Sequence, residues 1–332
     1  MKTGKVPNDI LNKLILSKIN NFRKDVILRP GIGEDCTAID FGEFDCVIST
    51  DPITGAINDI GRLSVHISCN DIASSGVEPL GLMVTLLCPT TITEKELEFI
   101  MDQICATSKE LNVEILGGHT EVTPAVNKVV ISTTAIGKAQ KGRLVTSSGA
   151  EVGDSVLITK FAGLEGTAII ANDFEDVLKQ SLDASTIQRA KSFINQISVV
   201  KEGVLAGEFG VTAMHDITEG GVLGAAWEIA EASGKGIIIN KNDIPVDSAT
   251  LEICKLFSID PLKLISSGSM IITTSNADEL SRIYKEHQIP VACIGKITPA
   301  SEGRFIYDSN TGLKEELVQS DSDELYKLEH TS

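Results

Sequence analysis

Short β-branched segments alternate with amphipathic helical segments along most of this 332-residue chain. The spacing of the apolar residues distinguishes the two, because helix faces repeat every 3.6 residues whereas compact runs of Val, Ile and Thr favour strands. The clearest predicted helices cover 9–20, 60–75 and 97–111, and the clearest predicted strands cover 46–50, 80–88, 113–116, 128–136, 155–160 and 211–214. A connector rich in glycine and serine at 142–154 interrupts the alternation. The sequence therefore predicts an α+β protein of two α/β lobes, which we place at residues 1–150 and 151–332.

Charge and hydropathy exclude several classes of partner. The chain has 46 acidic and 29 basic residues and a net charge of −17, and such a surface repels nucleic-acid phosphates and anionic lipids. No apolar run approaches the roughly 20 residues that span a bilayer. The polar start at 1–9 lacks the apolar segment of a secretory signal, and the seven cysteines form no CxxC pair. We expect a cytoplasmic protein without nucleic-acid or membrane partners.

Acidic residues recur at predicted strand ends and in glycine-rich turns, where they could hold a metal. Phosphate-binding lysine loops and the serine nucleophile elbow are missing from the sequence. Carboxylate oxygens suit Mg²⁺, which takes one or two carboxylates together with waters and substrate phosphates. The candidate metal ligands are Asp35, Asp51, Asp71 and Asp216.

Glycines and histidines accompany these acids. Glycine lets backbone N–H groups approach a phosphate closely, so the pairs Gly31 and Gly33, Gly117 and Gly118, and Gly220 and Gly221 are candidates for nucleotide contact. Each feature also has a plainer interpretation: the acids can form turns or cap helices, the histidines can be structural, and the glycines can mark tight turns. Together they describe a nucleotide site in which metal ions, rather than lysine, neutralise the phosphates.

Five motifs in a fixed order carry a resemblance to a known superfamily. They are Gly31-Ile32-Gly33-Glu34-Asp35-Cys36, Ser49-Thr50-Asp51, the segment from Cys69-Asn70-Asp71 to Pro79, Gly117-Gly118-His119-Thr120, and His215-Asp216-Ile217-Thr218-Glu219-Gly220-Gly221. The arrangement resembles the ATP-utilising superfamily related to aminoimidazole ribonucleotide synthetase (PurM-like proteins). The resemblance extends from about residue 31 to residue 297.

The resemblance implies a fold and a site. The N-terminal PurM-like domain would form a β-barrel across a homodimer, a C-terminal PurM-like domain would follow, and ATP with Mg²⁺ would occupy the cleft between them. In this sequence the resemblance assigns metal binding to the four aspartates named above. It places Gly117, Gly118 and Thr120 against the nucleotide, with the loop from Gly31 to Asp35 closing over it. We also take Asn70, Gly220 and Gly221 as candidate nucleotide contacts and His119 and His215 as candidate catalytic residues.

Within the superfamily the sequence is most similar to HypE, a hydrogenase-maturation factor, chiefly through Thr218-Glu219-Gly220-Gly221 and Ser267-Gly268-Ser269-Met270. HypE ends in Pro-Arg-Ile-Cys, whereas the sequence here ends in Glu329-His330-Thr331-Ser332. We therefore expect an ATP- and Mg²⁺-dependent enzyme that phosphorylates or dehydrates a small acceptor, which stays unidentified. Two alternatives are a small-molecule kinase or purine-pathway synthetase, and a non-catalytic nucleotide-binding scaffold with a maturation-protein partner.

Overall fold

A computed structural model describes residues 6–54, 59–320 and 322–328 of the chain. The four terminal residues that we compared with the Pro-Arg-Ile-Cys ending lie outside these described residues. No helix among the described residues has both the length and the apolar character that a membrane crossing requires.

The first half of the chain forms a six-stranded sheet in the order β1-β2-β3-β6-β4-β5. Its neighbouring strands are antiparallel, except that β4 and β5 run parallel. The strands are β1 (Val26–Leu28), β2 (Thr37–Asp40), β3 (Phe44–Ile53), β4 (Pro79–Cys88), β5 (Glu114–Val122) and β6 (Val130–Gln140), and the helices are α1 (Asn8–Leu14), α2 (Ile60–Ser74) and α3 (Glu94–Glu110).

The second half contains a seven-stranded sheet in the order β13-β12-β9-β11-β7-β10-β8. Only the β12–β9 pair is parallel among these described strands. The strands are β7 (Ser155–Thr159), β8 (Ala213–Asp216), β9 (Gly236–Asn240), β10 (Met270–Thr274), β11 (Val291–Thr298), β12 (Arg304–Tyr307) and β13 (Lys314–Glu316). The helices are α4 (Leu164–Asp173), α5 (Glu175–Leu178), α6 (Ala184–Ser192), α7 (Val200–Phe209), α8 (Gly221–Ala232), α9 (Ser248–Phe257) and α10 (Ala277–Glu286).

Helices α2 and α3 cover one face of the first sheet. The inward-facing residues, such as Val47 and Ala135, are fully buried, because successive strand residues point to opposite faces. On the other face Leu80 and Met83 stay 50% and 44% exposed. The described part of one chain forms an open sheet with β1 and β5 as its edges and no barrel. The expected barrel and dimer therefore remain proposals.

Helix α2 is buried almost along its whole length, between the first sheet and α7 of the second half. Small residues allow α7 to come close to the end of α2. A Cβ added at Gly203 would lie 2.2 Å from the carbonyl oxygen of Ala73, and one added at Gly207 would lie 2.6 Å from the Cα of Gly76. The two halves therefore pack backbone to backbone at the end of α2.

Most expected elements are present, with three informative differences. The predicted strand 46–50 extends to Ile53, so Asp51 lies within β3 rather than after it. The glycine pair that we expected in a turn after residue 116 is extended backbone inside β5, where main-chain pairing to β4 continues to Val122. The predicted helix 9–20 stops at Leu14 and continues only as a short 3₁₀ turn. The capping box at Thr93 and Glu96 is present at the start of α3.

Candidate functional site

Four aspartates from distant parts of the sequence meet where the two halves join. Asp35 lies in the loop before β2, Asp51 near the end of β3, Asp71 on α2 and Asp216 at the end of β8. Burial raises the pKa of the Asp71 carboxyl well above its ordinary value, and the charges of the other three aspartates raise it further, Asp51 most strongly. The four side chains are therefore close enough to form one electrostatic unit.

The alternation of β3 aims two of its residues at α2. Ser49 and Asp51 are two positions apart and thus share the face of the sheet that α2 covers. The Ser49 hydroxyl donates a hydrogen bond of 2.5 Å to Oδ2 of Asp71, and Asp71 is only 3% exposed. A buried carboxyl that is surrounded by other acids favours its neutral form. A bound cation would reverse this preference, because it attracts the ionised form.

Asp216 gives the clearest indication of a metal site. It is fully buried, and neither of its carboxylate oxygens accepts a hydrogen bond from the described residues, while Nδ1 of His215 lies 3.7 Å from its Oδ1. An unsatisfied buried carboxylate costs several kcal/mol or changes its protonation, so native structures pair it with a donor or a cation. One ligand atom each from Asp35, His215 and Asp216 can be chosen so that all three lie within 4.8 Å of one another. Of the three groups, the carboxylates of Asp35 and Asp216 supply hard oxygen donors, which fit Mg²⁺.

His215 connects the cluster to helix α8. Its Nδ1 lies 3.2 Å from Oδ2 of Asp35, and its Nε2 lies 3.2 Å from Oε2 of Glu228. Burial by itself lowers the pKa of this imidazole, but the surrounding carboxylates, Asp35 first, outweigh burial and raise the pKa well above its ordinary value. The ring therefore carries positive charge within the acidic cluster and can orient two carboxylates.

The loop that carries Asp35 is held against the second half. Gly33 has φ +76°, which favours glycine, and a Cβ at this position would lie 3.1 Å from the carbonyl oxygen of Glu228. Oε1 of Glu34 accepts a hydrogen bond of 3.1 Å from the backbone N–H of Ser148, in the connector between the lobes. Gly31 forms an isolated bridge with Glu34 that tightens the loop. Close packing on α8 thus brings Asp35 next to His215.

The residues predicted on β5 are not brought to this cluster within one chain. His119 pairs with Thr85 of β4, so it lies on the uncovered face of the sheet, whereas Asp51 lies on the covered face. His119 is exposed, and its Nε2 is 3.5 Å from Oε2 of Glu121. Gly117 and Gly118 precede it, and Thr120 follows it, along the same edge strand. A Cβ at Gly118 would overlap the carbonyl oxygen of Val84, so this glycine is required by strand pairing.

Asn70 also has a different position from the one expected. It is fully buried, its Nδ2 donates to the carbonyl oxygen of Ile197, and its Oδ1 accepts from the N–H of Val199, each at 2.9 Å. Both ends of the amide are therefore used to join α2 to the second half. The sequence interpretation placed Asn70 against the nucleotide, whereas its contacts here make it a link between the halves.

At the two glycines that begin α8, other parts of the chain already use one N–H donor and fill the neighbouring space. The N–H of Gly220 donates to Oδ2 of Asp323 at 2.8 Å, so a carboxylate from the C-terminal segment already takes this donor. A Cβ at Gly221 would lie 2.6 Å from the carbonyl oxygen of Leu262. Close packing therefore accounts for the second glycine without any ligand.

The sequence interpretation did not single out two residues of the site, Ser49 and Glu228. Ser49 had a usable signal, because it stands two positions before Asp51 in a predicted strand and therefore shares its face. Glu228 had none, since an acid in the middle of a predicted helix is ordinary. Only the packing of α8 against β8 brings its carboxylate to His215.

The fold and the site together define a class: a two-lobed α+β protein with a buried carboxylate cluster between its lobes. Residues 33–139 match the family described as AIR synthase related protein, N-terminal domain, and residues 151–308 match AIR synthase related protein, C-terminal domain. A putative hydrogenase expression/formation protein of Methanocaldococcus jannaschii is 30% identical over an alignment of 316 residues that covers 91% of this chain and 91% of that protein. This chain belongs to the AIR synthase related family.

Further similarity is found to HypE proteins. The carbamoyl dehydratase HypE of Cupriavidus necator is 28% identical over 295 residues, covering 86% of this chain and 80% of that protein. A crystal structure of a HypE–HypF complex aligns with a TM-score of 0.78 at 22% identity, over 94% of this chain and 99% of that one. A HypE structure in complex with ATP aligns with a TM-score of 0.69 at 22% identity, over 96% of each chain. At these identities the two structures establish the fold alone.

Proposed function

We propose that this protein binds ATP with Mg²⁺ and transfers a phosphoryl group to a small acceptor, either as a complete reaction or as the first step of a dehydration. The meeting of four carboxylates between the lobes carries this proposal, above all the unsatisfied oxygens of Asp216. Similarity to carbamoyl dehydratases supports the dehydration variant, because their name describes the removal of water.

General chemistry suggests a separate role for each residue of the cluster. Asp35, Asp51, Asp71 and Asp216 would hold Mg²⁺, which supplies charge stabilisation to transferring phosphates. Asp71 favours its neutral form in the free protein, so metal binding would release its proton, while Ser49 keeps its carboxyl oriented. His215, charged between Asp35 and Glu228, is proposed to position these carboxylates.

The open face of the first sheet supports a homodimer. Leu80 and Met83 are half exposed on this face, and Thr50 and Thr134 hydrogen-bond across it at 2.9 Å. Since His119 lies on the same face, pairing with a second copy would take it into an interface and toward a site shared by two chains. A HypE protein forms a complex with HypF, which supports a maturation-protein partner for this chain as well.

The domain boundary near residue 150 is part of the same proposal. The first sheet ends with β6 at Gln140 and the second begins with β7 at Ser155. Between them the described backbone contains only a short 3₁₀ turn at Ser147–Gly149.

Asp71→Asn tests the proposed site without removing the side chain. Asn mimics the neutral carboxyl that burial favours, so the variant should fold with a melting temperature within a few degrees of the native value. We expect at least a 100-fold loss of Mg²⁺-dependent ATP turnover, because a metal ligand is lost. ATP binding by calorimetry at millimolar Mg²⁺ and phosphate release with candidate amides are the measurements.

Asp176→Asn is the matched control, since its side chain is 99% exposed on α5. It should leave nucleotide binding and turnover unchanged. Native protein that binds no nucleotide with millimolar Mg²⁺ would rule out the proposal. Nucleotide binding without turnover for any acceptor, together with a stable protein partner, would instead favour the scaffold alternative.

A further inference from the structure

A buried ammonium group joins several segments of the second half of the chain. Lys160 follows directly after β7, and its side chain is only 12% exposed. Its Nζ donates hydrogen bonds to the backbone carbonyl oxygens of Gln196, Ser198 and Gly268, at 3.1, 2.7 and 2.8 Å. The same Nζ lies 2.7 Å from Oε1 of Glu202, a buried residue of α7. One charged group thus connects the end of β7 to α7, to the segment before α7 and to the loop before β10.

The backbone of Lys160 has a conformation that this residue type rarely adopts. Its φ is +54°, in the left-handed region where a Cβ is unfavourable, and its N–H donates to the carbonyl oxygen of Pro290 at 2.8 Å. Such conformations persist only where the surroundings hold them, and they are frequent at functional sites. A glycine would form the same turn without strain, so the turn by itself does not account for a lysine here.

Residues 196–199, here called the pre-α7 segment, are bound from two directions. The ammonium group binds the carbonyl oxygens of residues 196 and 198, whereas Asn70 of α2 binds the carbonyl oxygen of Ile197 and the N–H of Val199. The segment is therefore fixed between a cation of the second half and an amide of the first half. Asn70 directly precedes Asp71, so the position of this segment bears on where α2 presents the Asp71 carboxyl.

The third carbonyl connects the same ammonium group to the strands that carry Asp216. Gly268 lies just before β10, and Met270 of β10 pairs with Asp216 of β8. Next to this pair, the carbonyl oxygen of Ser269 accepts a hydrogen bond of 2.9 Å from the N–H of Ile217. The Lys160 side chain therefore contacts the loop that leads into the partner strand of Asp216, in addition to the segment that Asn70 binds.

The contacts of the ammonium group leave it no part in binding substrate. An ammonium group has three donors, and three carbonyl oxygens and the Glu202 carboxylate already share them. No donor is left for a phosphate. Any effect of Lys160 on the proposed reaction would therefore pass through the backbone segments that it holds.

We propose that Lys160 is a positioning residue of the metal site, and that its ammonium group sets the separation between Asp71 and Asp216 by holding the pre-α7 segment and the loop before β10 together. This role rests on the proposed function, because it concerns the same carboxylates. It differs from a contribution to stability alone, because it predicts a changed ligand set on the metal in protein that is fully folded.

Lys160→Gly tests the role, because glycine adopts a φ of +54° without strain and removes only the side chain. Binding of Mn²⁺, a spectroscopic substitute for Mg²⁺, is measured by electron paramagnetic resonance on the full-length protein. We expect Mn²⁺ binding to weaken at least tenfold. Water-proton relaxation should show about one more water on the bound Mn²⁺, since water replaces a carboxylate that no longer reaches the metal. A role in stability alone would leave this hydration number unchanged.

Butylammonium matches the lost side chain in length and charge, so it should restore the Mn²⁺ affinity of Lys160→Gly to within about threefold of the native value. Butanol has the same length without the charge and should not restore it. The matched control is Lys191→Met combined with Glu175→Gln, which removes the 2.8 Å ion pair between α6 and α5. This control should keep the native Mn²⁺ affinity and hydration number.

Lys160→Met combined with Glu202→Gln covers the case in which Lys160→Gly does not fold. It removes both charges together, so no buried carboxylate is left without its partner. We expect the same loss of Mn²⁺ affinity, at least tenfold, in this double variant. Native Mn²⁺ affinity in the double variant, or a loss in Lys160→Gly that butylammonium leaves unchanged, would overturn the inference.

Calorimetry of Mg²⁺-ATP binding to the native protein separates this inference from the proposed function. If the native protein binds Mg²⁺-ATP and the variants match it in metal binding, only the positioning role is refuted. If the native protein binds Mn²⁺ but no nucleotide, the loss in the variants still supports the positioning role, and the ATP-dependent function is refuted. A native protein that binds neither refutes the proposed function and the positioning role with it.

Discussion

Buried acids dominate the chemistry of this protein at the residue scale. Asp71 and Asp216 belong to the proposed metal site, while Asp323 accepts a hydrogen bond from the start of α8 and acts electrostatically on the buried Glu165. Burial raises the pKa of Asp323 to about 6, as it raises that of Glu165 to about 7. Asp71, Glu165 and Asp323 therefore fold most easily in their neutral forms. Stability without ligands should therefore fall as the solution becomes less acidic.

Glu165→Gln should remove one part of this pH dependence. The pKa of Glu165 rises from an ordinary 4.5 to about 7 on folding, so the native state binds the proton more tightly than the unfolded chain. Its contribution is complete below pH 4.5 and is lost as the pH rises through 7. At about 1.4 kcal/mol for each pH unit between the two pKa values, the loss reaches about 3 kcal/mol.

Urea unfolding at pH 4.5 and pH 8 measures this difference. Glu165→Gln should be more stable than the native protein at pH 8 and about equal to it at pH 4.5, whereas the exposed Glu208→Gln should follow the native protein at both values. A Glu165→Gln protein that is less stable than native at pH 8 would show that the ionised carboxylate is satisfied in the fold.

At the scale of elements, α2 holds the two halves of the site in register. It carries Asp71 toward β3 and, one residue earlier, Asn70 toward Ile197 and Val199. Adjacent residues on a helix point about 100° apart, so one helix can meet both halves at once. Helix α7 packs closely against α2 at Gly203 and so helps to hold this arrangement. In the proposed site, packing between helices and metal binding would therefore be coupled through α2.

Gly203→Ala tests that coupling. The added methyl group would lie 2.2 Å from the carbonyl oxygen of Ala73, so backbone must move, and overpacking of this kind typically costs about 1–3 kcal/mol. In an exposed helix the same change would stabilise by up to about 1 kcal/mol. We expect a lower free energy of unfolding by urea and at least tenfold weaker Mg²⁺-ATP binding by calorimetry.

Glu208→Ala on the same helix is exposed and should change the free energy of unfolding by no more than about 0.5 kcal/mol. If Gly203→Ala matched this control in both measurements, the interface would have to be looser than the contact between Gly203 and Ala73 indicates.

At the scale of the whole molecule, sequence reasoning predicted the elements well but their neighbours poorly. The spacing of apolar residues predicted α2 and α3, and local motifs predicted that Asp35, Asp71 and Asp216 act together. Periodicity could not reveal that β5 continues through Gly117 and Gly118, because glycine resembles a turn signal wherever it occurs. The face occupied by His119 depends on strand register, and the partners of Asn70 lie 127 and 129 residues away. Such contacts are set by tertiary packing alone.

The open sheet face provides the last prediction, since it bears on both assembly and catalysis. Met83 is 44% exposed there, so Met83→Glu should fold as a single chain but place a charge in the proposed interface. Light scattering should give twice the 35.4 kDa chain mass for the native protein and at least tenfold weaker dimerisation for the variant. Phe99→Glu introduces the same charge on α3, at a side chain 55% exposed, and should remain dimeric. A monomeric native protein at tens of micromolar, or equal dimerisation of both variants, would contradict the homodimer.

If the site is shared between chains, Met83→Glu should also lose ATP turnover in proportion to its loss of dimer, because His119 would no longer be brought toward the second chain.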